Sequence, residues 1–115
     1  MGQLNLEYLD LTGVKLSSVP PEHLTDLGTA LKKLRVLRLS NCGMSVDSAV
    51  QITASTTGNP EIPSLALDLS SNDLGTKGGV ALAAVLKRAT NLTNLNLASN
   101  SLRSKGRFHL NIYVI

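Results

Sequence analysis

One pattern returns along this chain at a nearly constant interval and leaves few folds open to it. A leucine is followed after two residues by a second and after one more by a third. Two residues further comes a cysteine or asparagine, then one residue, then another apolar side chain. Copies begin at Leu6, Leu34, Ser64 and Leu92, a period of 28 to 30 residues. They read Leu6, Leu9, Leu11, Val14, Leu16; Leu34, Leu37, Leu39, Cys42, Met44; Ser64, Leu67, Leu69, Asn72, Leu74; and Leu92, Leu95, Leu97, Asn100, Leu102. A unit this short cannot bury its apolar face alone, so successive units must stack and share one continuous core.

The third copy is the best formed. Leu67 and Leu69 alternate with Asp68 and Ser70, the period of a short half-buried strand. Asn72 follows on a tight curve, where a buried side-chain amide can satisfy backbone groups that the curve leaves unpaired. Leu74 turns back into the core, Thr76 is the expected helix N-cap, and residues 80–86 read as helix, with Lys87 and Arg88 in its last turn. Cys42 and Asn100 occupy the position of Asn72 in their own units, and the three are the expected structural ladder.

These residues resemble leucine-rich repeat proteins. The long period, the helix in each unit and Leu74-Gly75 followed by Gly78 are similar to the ribonuclease-inhibitor-like subfamily. The resemblance implies an α/β fold: a curved solenoid of about four repeats, the last incomplete, with parallel strands on the concave side and helices on the convex side. It covers residues 6–107, leaving residues 1–5 as a lead-in and residues 108–115 as an atypical uncapped tail.

Within the units several departures carry expectations. Val14 stands in the ladder position of the first copy, so that turn lacks a polar anchor and should be less regular. Pro20-Pro21-Glu22 fits a helix start, while Gly28 weakens the helix that follows. Ser45 can cap a helix through Val46, Ala49, Val50 and Ile52. Residues 53–63, rich in Ser, Thr, Gly, Asn and Pro, read as the least ordered part of the middle. After Gly106, Phe108, Leu110, Ile112 and Val114 alternate with polar or aromatic residues at a strand period where a helix is due. Either the chain is a fragment of a longer solenoid or an unusual tail replaces that helix. In both cases an open apolar end is expected to drive self-association.

Leucine, not aromatic packing, must carry the core: 43% of the residues are hydrophobic but only 3% aromatic, which disfavours a base-stacking nucleic-acid module. The net charge of +3 is unevenly spread, −3 over residues 1–73 and +6 over residues 74–115, most simply read as solvated helix ends and loops. Cys42 is the single cysteine, so no internal disulfide forms, in keeping with a cytoplasmic setting. No run is apolar and long enough to span a bilayer, and no secretory signal is visible. Asn91-Leu92-Thr93 matches a glycosylation sequon that such a setting would leave unused.

No reaction chemistry is legible. His23 and His109 lie in different units without a cysteine or carboxylate at metal spacing, and no cofactor is implied. Asp10 and Asp68 share one repeat position but Arg38 occupies it between them, which favours a charge-alternating column, Asp10–Arg38–Asp68–Asn96, over acid–base catalysis. By strand alternation the concave face presents Tyr8, Asp10 and Thr12; Val36, Arg38 and Ser40; Ala66, Asp68 and Ser70; and Asn94, Asn96 and Ala98. Tyr8 and Arg38 are the expected anchors for a protein partner of unknown identity.

The reading is therefore a non-enzymatic protein-interaction scaffold. The run Leu9-Asp10-Leu11-Thr12-Gly13-Val14-Lys15-Leu16-Ser17, the run Ala66-Leu67-Asp68-Leu69-Ser70 and the long connection over residues 53–63 resemble the CARMIL-type actin regulators. That resemblance implies a role in actin assembly, with the family's capping-protein-binding segment lying outside its repeats. Two other readings share such repeats: a GTPase activator of the Ran type, which stimulated GTP hydrolysis would reveal, and a ligand-sensing segment of an innate immune receptor.

Overall fold

A computed structural model of the protein describes residues 4–103. The elements in chain order are β1 (Leu4–Asn5), β2 (Tyr8–Asp10), α1 (Pro21–Ala30), β3 (Leu31–Lys32), β4 (Val36–Arg38), α2 (Val46–Thr57), β5 (Leu65–Asp68), α3 (Gly75–Leu86) and β6 (Leu92–Asn96). The main sheet has four parallel strands in the order β2-β4-β5-β6, each joined to the next through a helix as parallel pairing requires. The helices pack side by side, α1 on α2 and α2 on α3. Between sheet and helices lies a leucine core in which Leu37, Leu67 and Leu95 stand in register on neighbouring strands and are all buried.

The strands fall where the leucine alternation predicts, with two differences. Leu4–Asn5, expected as lead-in, pair in parallel with Leu31–Lys32 in a separate two-stranded sheet. In the third unit the inward position expected at Ser64 is taken by Leu65, which is fully buried and pairs with Leu92. The register then shifts, so that Ala66 pairs with Asn94 and Thr93 is an extra residue of the bulge. The Thr93 hydroxyl donates to the Leu65 carbonyl at 3.0 Å, satisfying a group beside the interruption.

Helix α1 begins at Pro21, with proline in its first turn and Glu22 beside the positive helix end. Ser45 caps α2 as expected, its hydroxyl accepting from the Ser48 N–H at 3.1 Å. The expected Thr76 cap is absent: α3 starts at Gly75 without a side-chain cap, and the Thr76 hydroxyl donates instead to the Leu102 carbonyl of the next unit at 3.0 Å. Lys87 and Arg88 stand just past the helix end rather than within its last turn.

Residues 53–63 differ most from expectation. The helix continues to Thr57, and Thr53, Thr56, Thr57, Asn59 and Ile62 are all buried. Thr56 and Thr57 are accommodated because their hydroxyls return to the helix backbone, Thr56 donating to the Ile52 carbonyl at 2.6 Å and Thr57 to the Thr53 carbonyl at 2.7 Å, whereas the Thr53 hydroxyl has no partner among the described residues. Asn59 then anchors the turn, its amide donating to the carbonyls of Gly28 and Leu31 at 2.9 and 2.8 Å. The tail over residues 108–115, with His109 and the self-association expected of it, lies outside the described residues.

Gly28, expected only to weaken α1, is buried where α1 meets α2. A Cβ there would sit 2.7 Å from the Ser55 Cβ, so the missing side chain lets the two helices approach. Gly28→Ala should therefore lower unfolding free energy by about 1–2 kcal/mol in urea titration, the overpacking exceeding the gain in helix propensity. A stabilised variant would contradict this account of the helix contact.

Candidate functional site

The turn after each strand shapes the face that the strands present. Asn41, Ser71 and Ser99, the residues just before Cys42, Asn72 and Asn100, have φ of 54°, 58° and 58°. The residues just after them, Gly43, Asp73 and Ser101, have φ of 64°, 56° and 53°. Non-glycine residues enter this left-handed region at a cost, and persist there when the surroundings over-determine them. The ladder side chains do so. Asn72 Oδ1 accepts from the Cys42 and Met44 N–H groups at 2.9 and 3.3 Å. Its amide donates to the carbonyls of Leu39, Leu69 and Ser70 at 2.9, 2.9 and 3.1 Å. Asn100 repeats the arrangement one unit on, accepting from the N–H groups of Asn72 and Leu74 and donating to the carbonyls of Leu69, Leu97 and Ala98.

Cys42 is the shorter member of this ladder. Its Sγ donates to the Leu11 carbonyl at 3.1 Å, and burial, the largest influence, pushes the thiol above its ordinary 9.0. Val14 cannot join. It is 45% exposed, and only Gly13 beside it is left-handed, at φ 82°; Lys15 is not. The first turn is thus less regular, as its sequence predicts.

On the helix-free side of the sheet the register brings the expected residues together. Asp10 pairs with Arg38, Arg38 with Asp68 and Asp68 with Asn96, so the column is continuous. Arg38 Nε lies 3.6 Å from Asp68 Oδ2, and Arg38 Nη1 donates to the Tyr8 hydroxyl at 3.4 Å. That hydrogen bond first, and the Asp10 and Asp68 carboxylates further down, hold the guanidinium even more firmly charged than usual. The Asp10 carboxyl is held below its ordinary 3.8, chiefly by the Thr12 hydroxyl and then by the Thr12 N–H, which donates at 2.9 Å. Asp68 and Asn96 accept in the same way from the N–H groups of Ser70 and Ala98. The Ser70 hydroxyl donates to that of Ser40 at 2.8 Å.

Beside the column runs a second row, Tyr8, Val36, Ala66 and Asn94, also in register. Tyr8 is 55% exposed, the most exposed large apolar side chain described. Asp10 and Asp68 do not meet, because Arg38 separates them. Among the described residues no group of three or more His, Cys, Asp or Glu could hold a metal ion, and His23 is exposed at the start of α1.

Sequence reasoning missed a second set of buried amides, at the opposite end of the strands. Besides Asn59, the Asn91 amide donates to the carbonyls of Thr56 and Ile62 at 3.1 and 2.8 Å. The nitrogen that glycosylation would modify is therefore buried and engaged. These residues fall outside the leucine pattern, and an asparagine before a strand reads as an ordinary turn residue.

Comparison with known proteins agrees with this geometry. Residues 65–83 and residues 5–27 each match a family model described as Leucine Rich Repeat. These two segments are leucine-rich repeats. Such repeats imply protein–protein interaction. The chain is also similar to Protein CARMIL of Dictyostelium discoideum, 26% identical over 107 residues. The match covers 92% of this chain and spans 10% of the length of that relative. Among the described residues of the repeats no helix is long and apolar enough to cross a membrane.

Removing the central ladder side chain should be costly. Asn72→Ala leaves buried N–H and carbonyl groups of two units unpaired and should lower unfolding free energy by about 3 kcal/mol or more, against less than about 0.5 kcal/mol for exposed Asn96→Ala. Similar losses in the two variants, measured by urea denaturation, would contradict the ladder's role.

The Asp10 carboxyl should titrate below its ordinary 3.8 when followed by NMR, and Thr12→Ala should raise the midpoint. With its folded-state value depressed, this group's contribution to stability is present above the unfolded value and is lost as pH falls through the folded one. A midpoint unmoved by Thr12→Ala would contradict the assigned cause.

Proposed function

We propose that this chain is a non-enzymatic, cytoplasmic protein-interaction scaffold that receives its partner on the helix-free, concave face of the sheet. The observation that carries the reading is the shared register of four strands, which sets the charged column beside exposed Tyr8 on a backbone anchored from behind. Side chains on such a support lose little freedom when a partner docks, and tyrosine and arginine are the residue types that most often anchor interfaces. Arg38 standing between Asp10 and Asp68 supports recognition over acid–base chemistry.

The finer reading is that the scaffold belongs to an actin-regulating protein of the CARMIL type. The similarity to Protein CARMIL along almost the whole chain supports it. In that setting the repeats orient a partner while segments beyond them carry other contacts.

The test is capture from a cytosolic extract of the source organism by the chain and by a folded variant carrying Tyr8→Ala, Arg38→Glu and Asp68→Lys. The expected result is a discrete partner belonging to the actin-assembly machinery, held about tenfold or more weakly by the variant. Undiminished capture by the variant would contradict the concave face as the site. A partner unconnected with actin would contradict the finer reading alone.

A further inference from the structure

The row Tyr8–Val36–Ala66–Asn94 loses bulk from β2 to β5 and regains it at β6. Where it is smallest, at Ala66, the helix-free face has a hollow of about 360 Å³, within the size range that takes ligand groups. Its apolar lining comes from Val36, Ala66, Leu67 and Leu95. Arg38 and Asp68 border it on one side. Asn94 and Asn96 border it along β6. Asn96 uses its Oδ1 on the Ala98 N–H, and its Nδ2 makes no hydrogen bond among the described residues; the Asn94 side chain makes none there either. Side-chain amides with spare capacity beside an apolar hollow suit a peptide backbone, since each offers both donors and an acceptor.

Charge decides what kind of peptide. The column bordering the hollow has two carboxylates and one guanidinium, and Arg38 is already shared between Asp68 and the Tyr8 hydroxyl. One Asp10 oxygen accepts both bonds from Thr12, leaving the other toward solvent on an exposed residue. An acidic segment would meet both carboxylates; a basic one would complete the column. Strands are spaced about 4.8 Å apart, so Asp10, two strands over, lies about 10 Å from the hollow. A side chain two residues along an extended segment is on the same face and about 6.6 Å away, and a lysine or arginine stem covers the remainder.

We infer that the hollow over Ala66 takes an aliphatic side chain from an extended segment of a partner protein that carries a lysine or arginine two residues away, directed at Asp10. This rests on the concave face being the interaction site and specifies the chemistry of what docks there.

The experiment selects random linear peptides displayed on phage against the full chain. Binding of the enriched synthetic peptides is then measured by fluorescence anisotropy. The variants compared are Ala66→Phe, Asp10→Lys and the double variant Arg38→Glu with Asp68→Lys, each checked for folding by circular dichroism. The expected result is enrichment of Leu, Ile or Val two residues from Lys or Arg, with affinity about tenfold weaker for Ala66→Phe and for Asp10→Lys. Asp10→Lys changes an exposed side chain on the edge strand, so it reports even where Ala66→Phe folds poorly. No enrichment, acidic peptides, or peptides that bind Ala66→Phe and Asp10→Lys as well as the parent would overturn the inference. Among those last, peptides lost with the double variant leave the concave face as the interaction site, whereas peptides indifferent to all three overturn that reading as well.

Discussion

The buried side-chain amide of Asn72 is the constraint on which the rest of the structure depends. A parallel strand that must turn sharply toward a helix leaves several peptide groups facing the core, where water cannot reach them. Asn72 answers five of them at once, drawn from its own unit and the one before. Asn100 does the same one unit later and also binds the Asn72 N–H, so each turn is fixed to the next. The left-handed residues on both sides of each ladder position are held there by this network. Where the network is missing, at Val14, one of the two left-handed residues is missing too.

This constraint reaches the helix-free face through register. Because each turn is tied to its neighbour, the strand before it cannot slip, and Asp10, Arg38, Asp68 and Asn96 stay aligned. A slip by one residue would bury the charges and expose the leucines. The same alignment that stacks Leu37 on Leu67 and Leu95 therefore places Arg38 within ion-pair distance of Asp68. Core and face are two sides of one register, and this is how a leucine-rich unit converts packing into a patterned surface.

What the sequence makes legible follows the same division. Residues governed by strand alternation and by the ladder can be placed from spacing alone, which is why the charged column and the role of Cys42, Asn72 and Asn100 are readable in advance. The missed features depend on neighbours far away in sequence. Residues 53–63 look like a loop by composition, but Asn59 ties them to the carbonyls of Gly28 and Leu31, 31 and 28 residues earlier. Gly28 looks like a helix weakness until Ser55 is placed against it. The shift from Ser64 to Leu65 is a bulge whose extra residue lies on the next strand. The hollow over Ala66 has no signal in any single unit, since it exists only by comparison with Val36 and Asn94 on either side.

The central claim is that the ladder holds the turns as firmly as the leucines hold the strands. Native-state amide hydrogen exchange tests it most directly. The N–H groups of Cys42 and Asn72, each donating to a buried ladder amide, should exchange only through global unfolding, with the same free energy as the amides of Leu39 and Leu69. Exchange of Cys42 and Asn72 at much lower free energy, while Leu39 and Leu69 remain protected, would mean that the turns open independently of the sheet. The ladder would then be decoration on a fold set by leucine packing alone.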